Sequence, residues 1–376
     1  MKILIIEPSG KRGLCQYTHN LANAIAIRNH QVLLATAIEF ETKNLPRRYE
    51  AIEVFNRFST NPFRILYFFL YVRKFNPDVI HIQGAIHPGV YLVLWKVLKK
   101  ITDSIFIYTP HDIFPKRKKI YHYYVLKQLY QGMSYVIVHA QQNKELLLQY
   151  FKLQTEKISV LSVGNNMAIA KGLSLGEEVH IPKDKKVILF FGIIEPQKGL
   201  MILIKALPEI KKSIPDVLLL IAGQPFEDVG PYIKEIKQLN LEESVKLKLG
   251  YIAIHEIPNV FKVADLVGLP YNQVSQSGVV LSAYSFGKPV VATSVGGISE
   301  IVDEGKTGLL IPPDNPKALA KAVIRLLKDD VLREKMGKKA LEIVQKNHSW
   351  DSIAEKTELI YRSLLNQKSQ SILVKT

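Results

Sequence analysis

Short apolar runs alternate with amphipathic stretches along the first half of the chain. The runs predict six strands, at Lys2–Ile6, Val32–Ala37, Asp78–Ile82, Ser104–Thr109, Tyr135–Val138 and Ile158–Leu161. The stretches between them carry apolar residues at helical spacing and predict helices at Leu14–Arg28, Pro62–Lys74, Pro88–Lys99 and Gln141–Phe151. Strands that alternate with helices in this way are typical of βαβ units around a parallel sheet.

The alternation stops at residues 164–186, which are rich in Gly, Lys and acidic residues and have no periodic apolar face, so we predict a linker there. A second series follows it. Its strands are predicted at Val187–Phe191, Val217–Ala222, Val245–Leu249, Asp265–Leu269 and Pro289–Thr293. Its helices are predicted at Lys198–Lys212, Tyr232–Leu239, Gly278–Phe286, Pro316–Lys328 and Val331–Lys346, and a last helix begins after Ser349.

We therefore predict an α/β protein of two doubly wound, Rossmann-like domains that face a central cleft. A chain of 376 residues is too long for one comfortable core. The first domain is expected over 1–180 and the second over 181–349, with a helix over 350–366 that packs back on the first domain. Ligands of such sheets bind outside the carboxyl ends of the strands.

The charge is strongly positive and unevenly distributed. The formal net charge is +16; the first 180 residues hold 23 Lys and Arg against 12 Asp and Glu, and the remaining 196 hold 27 against 22. This excess of cations indicates an anionic partner. The alternative is that the cations are spread over solvent-exposed surfaces and serve only solubility. Neither the start MKILIIEPSG nor the longest apolar run, Ile65–Val72, is long enough for a secretory signal or a membrane span. The single cysteine, Cys15, excludes an internal disulfide, so we expect a cytoplasmic protein.

A lysine follows the first strand of the second domain. This strand ends at Gly192, and Lys198 and Gly199 are predicted to open the next helix. A lysine beside the backbone N–H groups of a helix start forms a phosphate site. The alternative is a surface lysine at the start of an ordinary helix.

The segment from Tyr271 to Glu300 adds small hydroxyl residues and glycines at two further helix starts. The candidate donor-binding residues in it are Ser275, Ser277, Gly278, Val279, Ser282, Gly296, Gly297 and Glu300. Serine hydroxyls donate hydrogen bonds without bulk, helix-start amides face an anion, and glycines let the backbone approach a ligand closely. Glu300 is equally well explained as an acid that suits the start of a helix. Two helix starts and one lysine at neighbouring strand ends predict a diphosphate ligand.

Several segments in family order resemble glycosyltransferase family 4, the group 1 glycosyltransferases. They are VILFFGIIEPQKGL, LLLIAG and SFGKPVVATSVGGISEIVDEGKTGLLIPPDNP in the second half, and PDVIHIQG, YTPHDIF and ISVLSVGNN in the first. The resemblance implies the GT-B fold, a nucleotide-sugar donor and transfer with retention of anomeric configuration. It also makes SGKRGL an acceptor-side loop containing Gly10 and Gly13.

The sequence departs from this family at the donor site. Family members carry an Arg shortly before the matching lysine, where this chain has Ile193, Ile194 and Glu195, so only Lys198 carries over. The family's paired glutamates would fall at Val274 and Ser282. We expect the ribose to meet the hydroxyls of Ser282 or Ser277 instead.

His111 and Asp112 follow a predicted strand of the first domain, which puts them at the carboxyl edge of its sheet. The resemblance makes them the candidate catalytic residues, since the family's matching His lies near the transferred sugar; the alternative is a structural His in a capped turn. His81, His87 and His139 also lie at strand ends but have no evident partner, and they lack a metal-ligand spacing. We therefore expect metal-independent activity without a cofactor.

Lys116, Arg117, Lys118 and Lys119 precede a helix-like stretch that contains four tyrosines. Cations with interfacial aromatic residues favour a shallow position on an anionic membrane surface, and the alternative is a basic turn before a core-packed helix. The membrane interpretation implies a lipid-linked saccharide acceptor and a peripheral position at the inner membrane face.

The sequence thus predicts a retaining hexosyltransferase-type enzyme that transfers a sugar from a nucleotide diphosphate to a saccharide or lipid-linked saccharide. Such a reaction belongs to polysaccharide or glycolipid biosynthesis. A GT-B epimerase is disfavoured because it needs acid/base carboxylates near the sugar. A GT-B-like protein that lost catalysis and binds a sugar or a partner stays open, because the Arg and the glutamates are absent. Nucleic-acid binding is not expected, since the cations form no recognised module.

Overall fold

The computed structural model describes residues 1–56, 61–84, 88–114, 120–165, 178–274 and 277–373. The chain forms two compact units: unit 1 is Met1–Gly164 with Ser349–Thr376, and unit 2 is Asn165–His348. The expected boundary at residue 180 therefore lies too far along the chain, and Ser349 belongs to unit 1. The reason is that Asn165 is already bonded into unit 2: its N–H donates to the His348 carbonyl at 3.0 Å, and its Oδ1 accepts from Ser285 Oγ at 2.6 Å.

Unit 1 is built on a parallel sheet of seven strands in the order β3-β2-β1-β4-β5-β6-β7. The strands are β1 (Lys2–Glu7), β2 (Gln31–Ala37), β3 (Glu50–Phe55), β4 (Val79–Gln83), β5 (Ile105–Thr109), β6 (Tyr135–Val138) and β7 (Ile158–Val160). The central strands are apolar and buried because helices cover both faces of the sheet. The strand order reverses between β1 and β4, which is where doubly wound sheets bind ligands.

Helices connect these strands, and one face of the sheet carries most of them. They are α1 (Arg12–Ile27), α2 (Pro62–Phe75), α3 (Pro88–Ile101), α4 (Ile120–Gly132) and α5 (Gln141–Phe151). The apolar sides of α2 to α5 pack into one core with β1, β2, β4, β5 and β6. Residues of α1 pack into a second core, on the opposite face of the same sheet. The outward sides of α2 to α5 therefore all face away from the sheet in one direction.

Unit 2 repeats this architecture with six parallel strands in the order β10-β9-β8-β11-β12-β13. The strands are β8 (Lys186–Phe191), β9 (Val217–Gly223), β10 (Val245–Leu249), β11 (Leu266–Leu269), β12 (Val290–Thr293) and β13 (Gly308–Ile311). The helices are α6 (Leu200–Ser213), α7 (Gly230–Gln238), α8 (Ile257–Lys262), α9 (Gly278–Ser285), α10 (Ile298–Ile301), α11 (Pro316–Lys328) and α12 (Asp330–Asn347). The strand order reverses between β8 and β11.

The last helix, α13 (Trp350–Leu373), belongs to unit 1 and packs against α1. Glu358 on α13 accepts a hydrogen bond from Arg28 Nε at 2.5 Å and pairs with Arg362 at 2.7 Å, and the His30 ring lies 3.2 Å away. Burial raises the pKa of Glu358, but these three partners outweigh burial and lower the pKa to about 2. A carboxylate between several cationic or hydrogen-bonding groups therefore holds α13 in place.

Three elements escaped the sequence analysis, and one was misplaced. The strands β3 and β13 lie at sheet edges, and α8 is only six residues long. Glu50 and Glu53 interrupt the apolar pattern of β3, and β13 has four residues. The helix expected to begin at Lys198 begins at Leu200, because Gly199 adopts a left-handed conformation that ends a short 3₁₀ turn at Lys198.

Candidate functional site

In unit 2, the loops that follow β8 and β11 are in direct contact where the strand order reverses. Gly199 has φ +65°, and a Cβ on it would stand 1.8 Å from the carbonyl oxygen of Pro270. The Asn272 N–H also donates to the Gln197 carbonyl at 2.9 Å. Only glycine permits this approach, so the loop that carries Lys198 is fixed against the loop that follows β11.

The Lys198 ammonium group lies over an aromatic ring in this contact. Its Nζ is 4.2 Å from the centroid of Tyr271, which is buried. The Tyr271 carbonyl accepts from Thr293 Oγ1 at 2.5 Å, so the ring is anchored to the end of β12. A cation over an aromatic face is attracted by the ring and loses conformational freedom. The positive charge is therefore held at the ends of β8, β11 and β12.

The start of α9 lies at the same position. Burial raises the pKa of Tyr271, and the neighbouring Ser277 hydroxyl partly opposes that rise. Ser277 Oγ is buried, and apart from its approach to the Tyr271 hydroxyl it makes no hydrogen bond of ordinary geometry among the residues that the structure describes. A Cβ on Gly192, which follows β8, would lie 3.6 Å from a Val279 methyl group. The structure thus brings Lys198 and Ser277 to Tyr271, and Gly192 to Val279 in the first turn of α9.

This part of α9 can accept an anion. The amides at the start of a helix, here those of Gly278 and Val279, have no acceptor within the helix. Gly278 is exposed, with open space where a Cβ would be. Helix-start amides without an acceptor in their own helix, a buried hydroxyl and a fixed ammonium group are the donors that a phosphate requires.

Two departures from the family pattern have a structural explanation. Ile193, Ile194 and Glu195 stand where family members carry an Arg, and Ile193 and Glu195 are half-buried. Ile194 is fully buried, and its N–H donates to the Gln224 carbonyl at 2.9 Å. Its side chain is part of the core, so it cannot contact a phosphate. Ser282 Oγ donates to the Gly278 carbonyl at 2.9 Å, so its hydroxyl hydrogen is already engaged within α9.

The remaining candidates of unit 2 follow β12 or lie outside the described residues. Gly296 has φ +52°, and Gly297 precedes the short helix α10. Glu300 is exposed in the first turn of α10. Ser275 lies outside the described residues.

In unit 1, the corresponding loop is occupied by the protein's own carboxylates. Glu7, at the end of β1, is buried and accepts from the N–H groups of Ser9 at 2.8 Å and Gly10 at 3.0 Å. Glu41 accepts from the Arg12 N–H at 2.6 Å, at the start of α1. Gly10 has φ +63° and packs on Ala37, and Gly13 is exposed in the first turn of α1. Because these carboxylates occupy the loop's amides, unit 2 is the better candidate for an anion site.

His111 lies in a cluster of imidazole rings in unit 1. Its Nε2 is 3.2 Å from Gln83 Oε1, and its ring is 4.9 Å from that of His139. Burial, with smaller effects of His139 and His81, lowers the pKa of His111 well below its usual value. His111 is therefore neutral at pH 7, with one nitrogen that donates and one that accepts. Asp112 is exposed beside it.

The sequence analysis was wrong in giving His81 and His139 no partner. His81 contacts Tyr361 OH at 2.6 Å, Thr109 Oγ1 at 2.7 Å and Gln83 Nε2 at 3.1 Å. His139 Nδ1 is 2.9 Å from the Leu161 carbonyl oxygen. The neighbouring strands β4, β5 and β6 carry these residues in or directly after them, and that placement was the available signal.

The expected basic segment, His87 and the expected absence of a metal ion stay untested by the structure. Lys116, Arg117, Lys118, Lys119 and His87 lie outside the described residues. Among the residues that are described, no three or more His, Cys, Asp or Glu side chains converge as metal ligands, so metal independence stays a prediction. Within the same part of the chain, no helix has both the length and the apolar run needed to cross a bilayer.

Family comparisons agree with this architecture. The family described as glycosyl transferases group 1 matches residues 175–343, and glycosyltransferase family 4 matches residues 12–167. Between them they cover most of the chain, which belongs to the group 1, family 4 glycosyltransferases.

Similar proteins carry related descriptions. An uncharacterized glycosyltransferase of Methanocaldococcus jannaschii is 31% identical over 235 residues, 60% of this chain and 59% of the relative. D-inositol 3-phosphate glycosyltransferase of Corynebacterium glutamicum is 30% identical over 256 residues, 64% of this chain and 59% of the relative. The match thus spans about three fifths of these relatives.

Solved structures share the fold. Anabaena HepE in complex with UDP-glucose has a TM-score of 0.77 at 22% identity, over 96% of this chain and 100% of that one. Sucrose-phosphate synthase from Thermosynechococcus elongatus also has a TM-score of 0.77 at 22% identity, over 98% and 100%. The fold is therefore that of GT-B glycosyltransferases.

Proposed function

We propose that this protein is a retaining glycosyltransferase that transfers a hexose from a nucleoside diphosphate to a saccharide or lipid-linked saccharide. The proposal rests above all on the 4.2 Å contact between Lys198 Nζ and Tyr271, beside the start of α9. That arrangement suits a diphosphate. Structures of HepE that contain UDP or UDP-glucose, on the same fold, support a nucleotide-sugar donor.

The reaction needs charge stabilisation more than an enzymatic nucleophile. As the acceptor oxygen bonds to the anomeric carbon, the bond from that carbon to the diphosphate oxygen breaks. Lys198 and the amides of Gly278 and Val279 stabilise the negative charge that develops on the leaving diphosphate. The acceptor's hydroxyl proton passes to the leaving phosphate oxygen. We propose no metal ion or cofactor for this step.

Thermal unfolding with a panel of nucleoside diphosphates and sugar nucleotides tests the donor class. A donor at one hundred times its Kd stabilises a protein by about 2.7 kcal/mol, which raises Tm measurably. We expect one nucleoside diphosphate and its sugar to raise Tm, with or without EDTA, and NMR of the transfer product to identify the retained anomer. If no member of the panel raises Tm, the proposal is wrong.

A GT-B-like binding protein without turnover is the second candidate. The absence of an Arg among Ile193, Ile194 and Glu195 favours it, because the diphosphate then meets one cation instead of two. Slow hydrolysis of the bound sugar nucleotide separates the two candidates. Release of sugar supports the transferase, and tight binding without release supports the second candidate.

We further propose that unit 1 binds an anionic membrane through the outward sides of α2, α3 and α4, which we call the α2–α4 face. Four apolar side chains of α2 are 56–79% exposed. The exposed apolar residues of the face are Phe63, Leu66, Tyr67, Leu70, Val90, Val93, Tyr121 and Tyr124. Single exposed apolar residues are ordinary, but a set this large on one side of a unit indicates a binding surface.

The charges of the α2–α4 face favour a membrane over a second copy of the chain. The three helices contain seven Lys and Arg and no Asp or Glu: Arg64, Arg73, Lys74, Lys96, Lys99, Lys100 and Lys127. Two such faces repel each other, whereas an anionic bilayer attracts each cation by about 1 kcal/mol and accepts the apolar side chains. A lipid-linked acceptor at the inner membrane face follows from this proposal.

Co-sedimentation with phosphatidylglycerol vesicles tests the α2–α4 face. We expect binding to these vesicles and little to phosphatidylcholine vesicles. Replacing Leu66, Tyr67 and Leu70 together by Ser should weaken binding about tenfold or more, since each inserted side chain contributes up to about 2 kcal/mol. Serine at the exposed Ile27 and Leu359, outside the face, is the matched control. Equal loss in both variants, or no binding by the wild type, excludes this surface.

A further inference from the structure

A series of four side chains at hydrogen-bond distance from one another connects the last helix of unit 1 to His111. Tyr361 of α13 contacts His81 Nδ1, and Gln83 contacts both His81 Nε2 and His111 Nε2. The side chains of Tyr361, His81 and Gln83 are all buried. Each contact lies between 2.6 and 3.2 Å, which is hydrogen-bond distance.

We infer that Gln83 couples the tautomers of His81 and His111, so that the two rings always carry their protons on opposite nitrogens. Tyr361, His81 and Gln83 are then positioning residues for His111. The effect on kcat given below rests on the proposed function together with His111 as the candidate catalytic residue of the sequence analysis. The coupling itself follows from the chemistry of one amide between two imidazoles.

The argument begins with the two ends of the amide. A primary amide has one end that only donates and one end that only accepts. When the Gln83 NH₂ group faces His81, His81 Nε2 must be the acceptor, and its proton is on Nδ1, where it donates to Tyr361 OH. Gln83 Oε1 then faces His111 and requires a proton on His111 Nε2.

The reverse orientation of the Gln83 amide also fixes the tautomers of both histidines. With its proton on Nε2, His81 donates to Thr109 Oγ1, 2.7 Å away, and Gln83 must turn its oxygen toward that ring. The NH₂ group then faces His111 Nε2, which becomes an acceptor and leaves the His111 proton on Nδ1. The two networks exclude each other.

Tyr361 biases the choice between these networks. The Tyr361 hydroxyl accepts from a protonated His81 Nδ1 and donates to a bare one, so its loss leaves a buried donor in the first network and a buried acceptor in the second. An orphaned buried N–H is the less tolerated of the two, and the proton on Nε2 keeps Thr109. Loss of the hydroxyl therefore moves the His81 proton to Nε2 and, through Gln83, moves the His111 proton to Nδ1. In this way Tyr361 of α13 influences which nitrogen of His111 carries the proton.

Long-range ¹H–¹⁵N NMR of the imidazole nitrogens tests the coupling directly, because protonated and unprotonated ring nitrogens have well-separated ¹⁵N shifts. The rings are assigned by single His→Gln variants. In the wild type we expect opposite tautomers for His81 and His111. The same tautomer on both rings overturns the inference, and this measurement needs no substrate and no further variant.

A double-mutant comparison then tests Gln83 as the connection. Tyr361→Phe should shift the ring-nitrogen signals of both histidines, and in a Gln83→Met background it should shift only those of His81. Tyr130→Phe is the matched control: Tyr130 is also buried in unit 1, but its hydroxyl donates to the Ile113 carbonyl, on the other face of the sheet. A shift of both histidines in the Gln83→Met background would overturn the coupling.

Activity gives a separate readout. If the protein is a transferase, Tyr361→Phe should lower kcat about tenfold, equivalent to about 1.4 kcal/mol, with KM for the donor unchanged. If no transferase activity exists, the NMR result still decides the coupling. An unchanged kcat in an active enzyme with swapped tautomers would show that the coupling does not position His111 for catalysis.

Discussion

At the scale of single residues, the proposed anion site of unit 2 depends on a ring, a cation and a glycine. Tyr271 fixes the Lys198 ammonium group, and Gly199 lets the backbone turn beneath it against Pro270. Each of these residues constrains where positive charge is available. The proposed diphosphate would therefore meet donors that are already in position, which reduces the entropy lost on binding.

Gly199→Ala should disrupt this site. An added Cβ would stand 1.8 Å from the Pro270 carbonyl oxygen at a φ of +65°, so both loops must shift. We expect a loss of a few kcal/mol in the free energy of unfolding, measured by urea denaturation. Gly278→Ala, where an added Cβ meets open space, is the control and should leave stability within about 0.5 kcal/mol. Equal stability of the two variants would contradict the described loop contact.

Sequence reasoning predicted part of this candidate site. Lys198, Ser277 and Gly278 were predictable because each follows a strand and precedes or begins a helix. Tyr271 as a platform for Lys198 and Gln83 as a neighbour of His111 were not, because these pairs are joined only by the tertiary fold. The engaged hydroxyl of Ser282 was equally invisible, since it depends on a rotamer within α9.

At the scale of elements, α13 is the piece of unit 1 that comes from the far end of the chain. It carries Glu358 to Arg28 on one side and Tyr361 to His81 on the other. The sequence predicted this helix from its apolar spacing. The sequence did not predict the polar partners of Glu358 and Tyr361, because they lie about three hundred residues away along the chain.

Glu358→Gln should loosen α13. The variant leaves Arg28 without its carboxylate and keeps the shape of the side chain, which we expect to cost about 1–3 kcal/mol of stability. Limited proteolysis and urea unfolding measure the effect. Glu355→Gln, on the exposed side of the same helix, is the matched control. If both variants behave like the wild type, the Glu358 contacts do not stabilise the helix.

At the scale of the whole molecule, the two units share an architecture but differ in their charged groups. Burial lowers the pKa of His19 and His139 to about 4 and that of His81 to about 3, and all three belong to unit 1. Glu358, with a pKa of about 2, is in unit 1 as well. Each of these groups binds its proton less readily in the folded unit than in the unfolded chain, whose His and Glu titrate near 6.5 and 4.3.

Acid should therefore destabilise unit 1 before unit 2. As pH falls below about 6.5, the unfolded state binds protons that the buried histidines of the folded unit do not bind. Below about 4.3 the contribution of Glu358 also begins to fall, and it is lost as pH approaches the folded pKa of about 2. Hydrogen exchange followed by mass spectrometry at pH 7, 5.5 and 4.5 resolves the two units. We expect protection to fall first in Met1–Gly164 and α13, and the reverse order would contradict these pKa shifts.

The central claim is that Lys198 and the start of α9 hold a diphosphate. Isothermal titration with the nucleoside diphosphate that raises Tm most tests it. Lys198→Ala should weaken the affinity about tenfold or more, because a charge-assisted hydrogen bond contributes about 1.5–3 kcal/mol. Lys205→Ala, at an exposed lysine of the neighbouring α6, should leave the affinity unchanged. Equal affinity of both variants for the diphosphate would contradict the account.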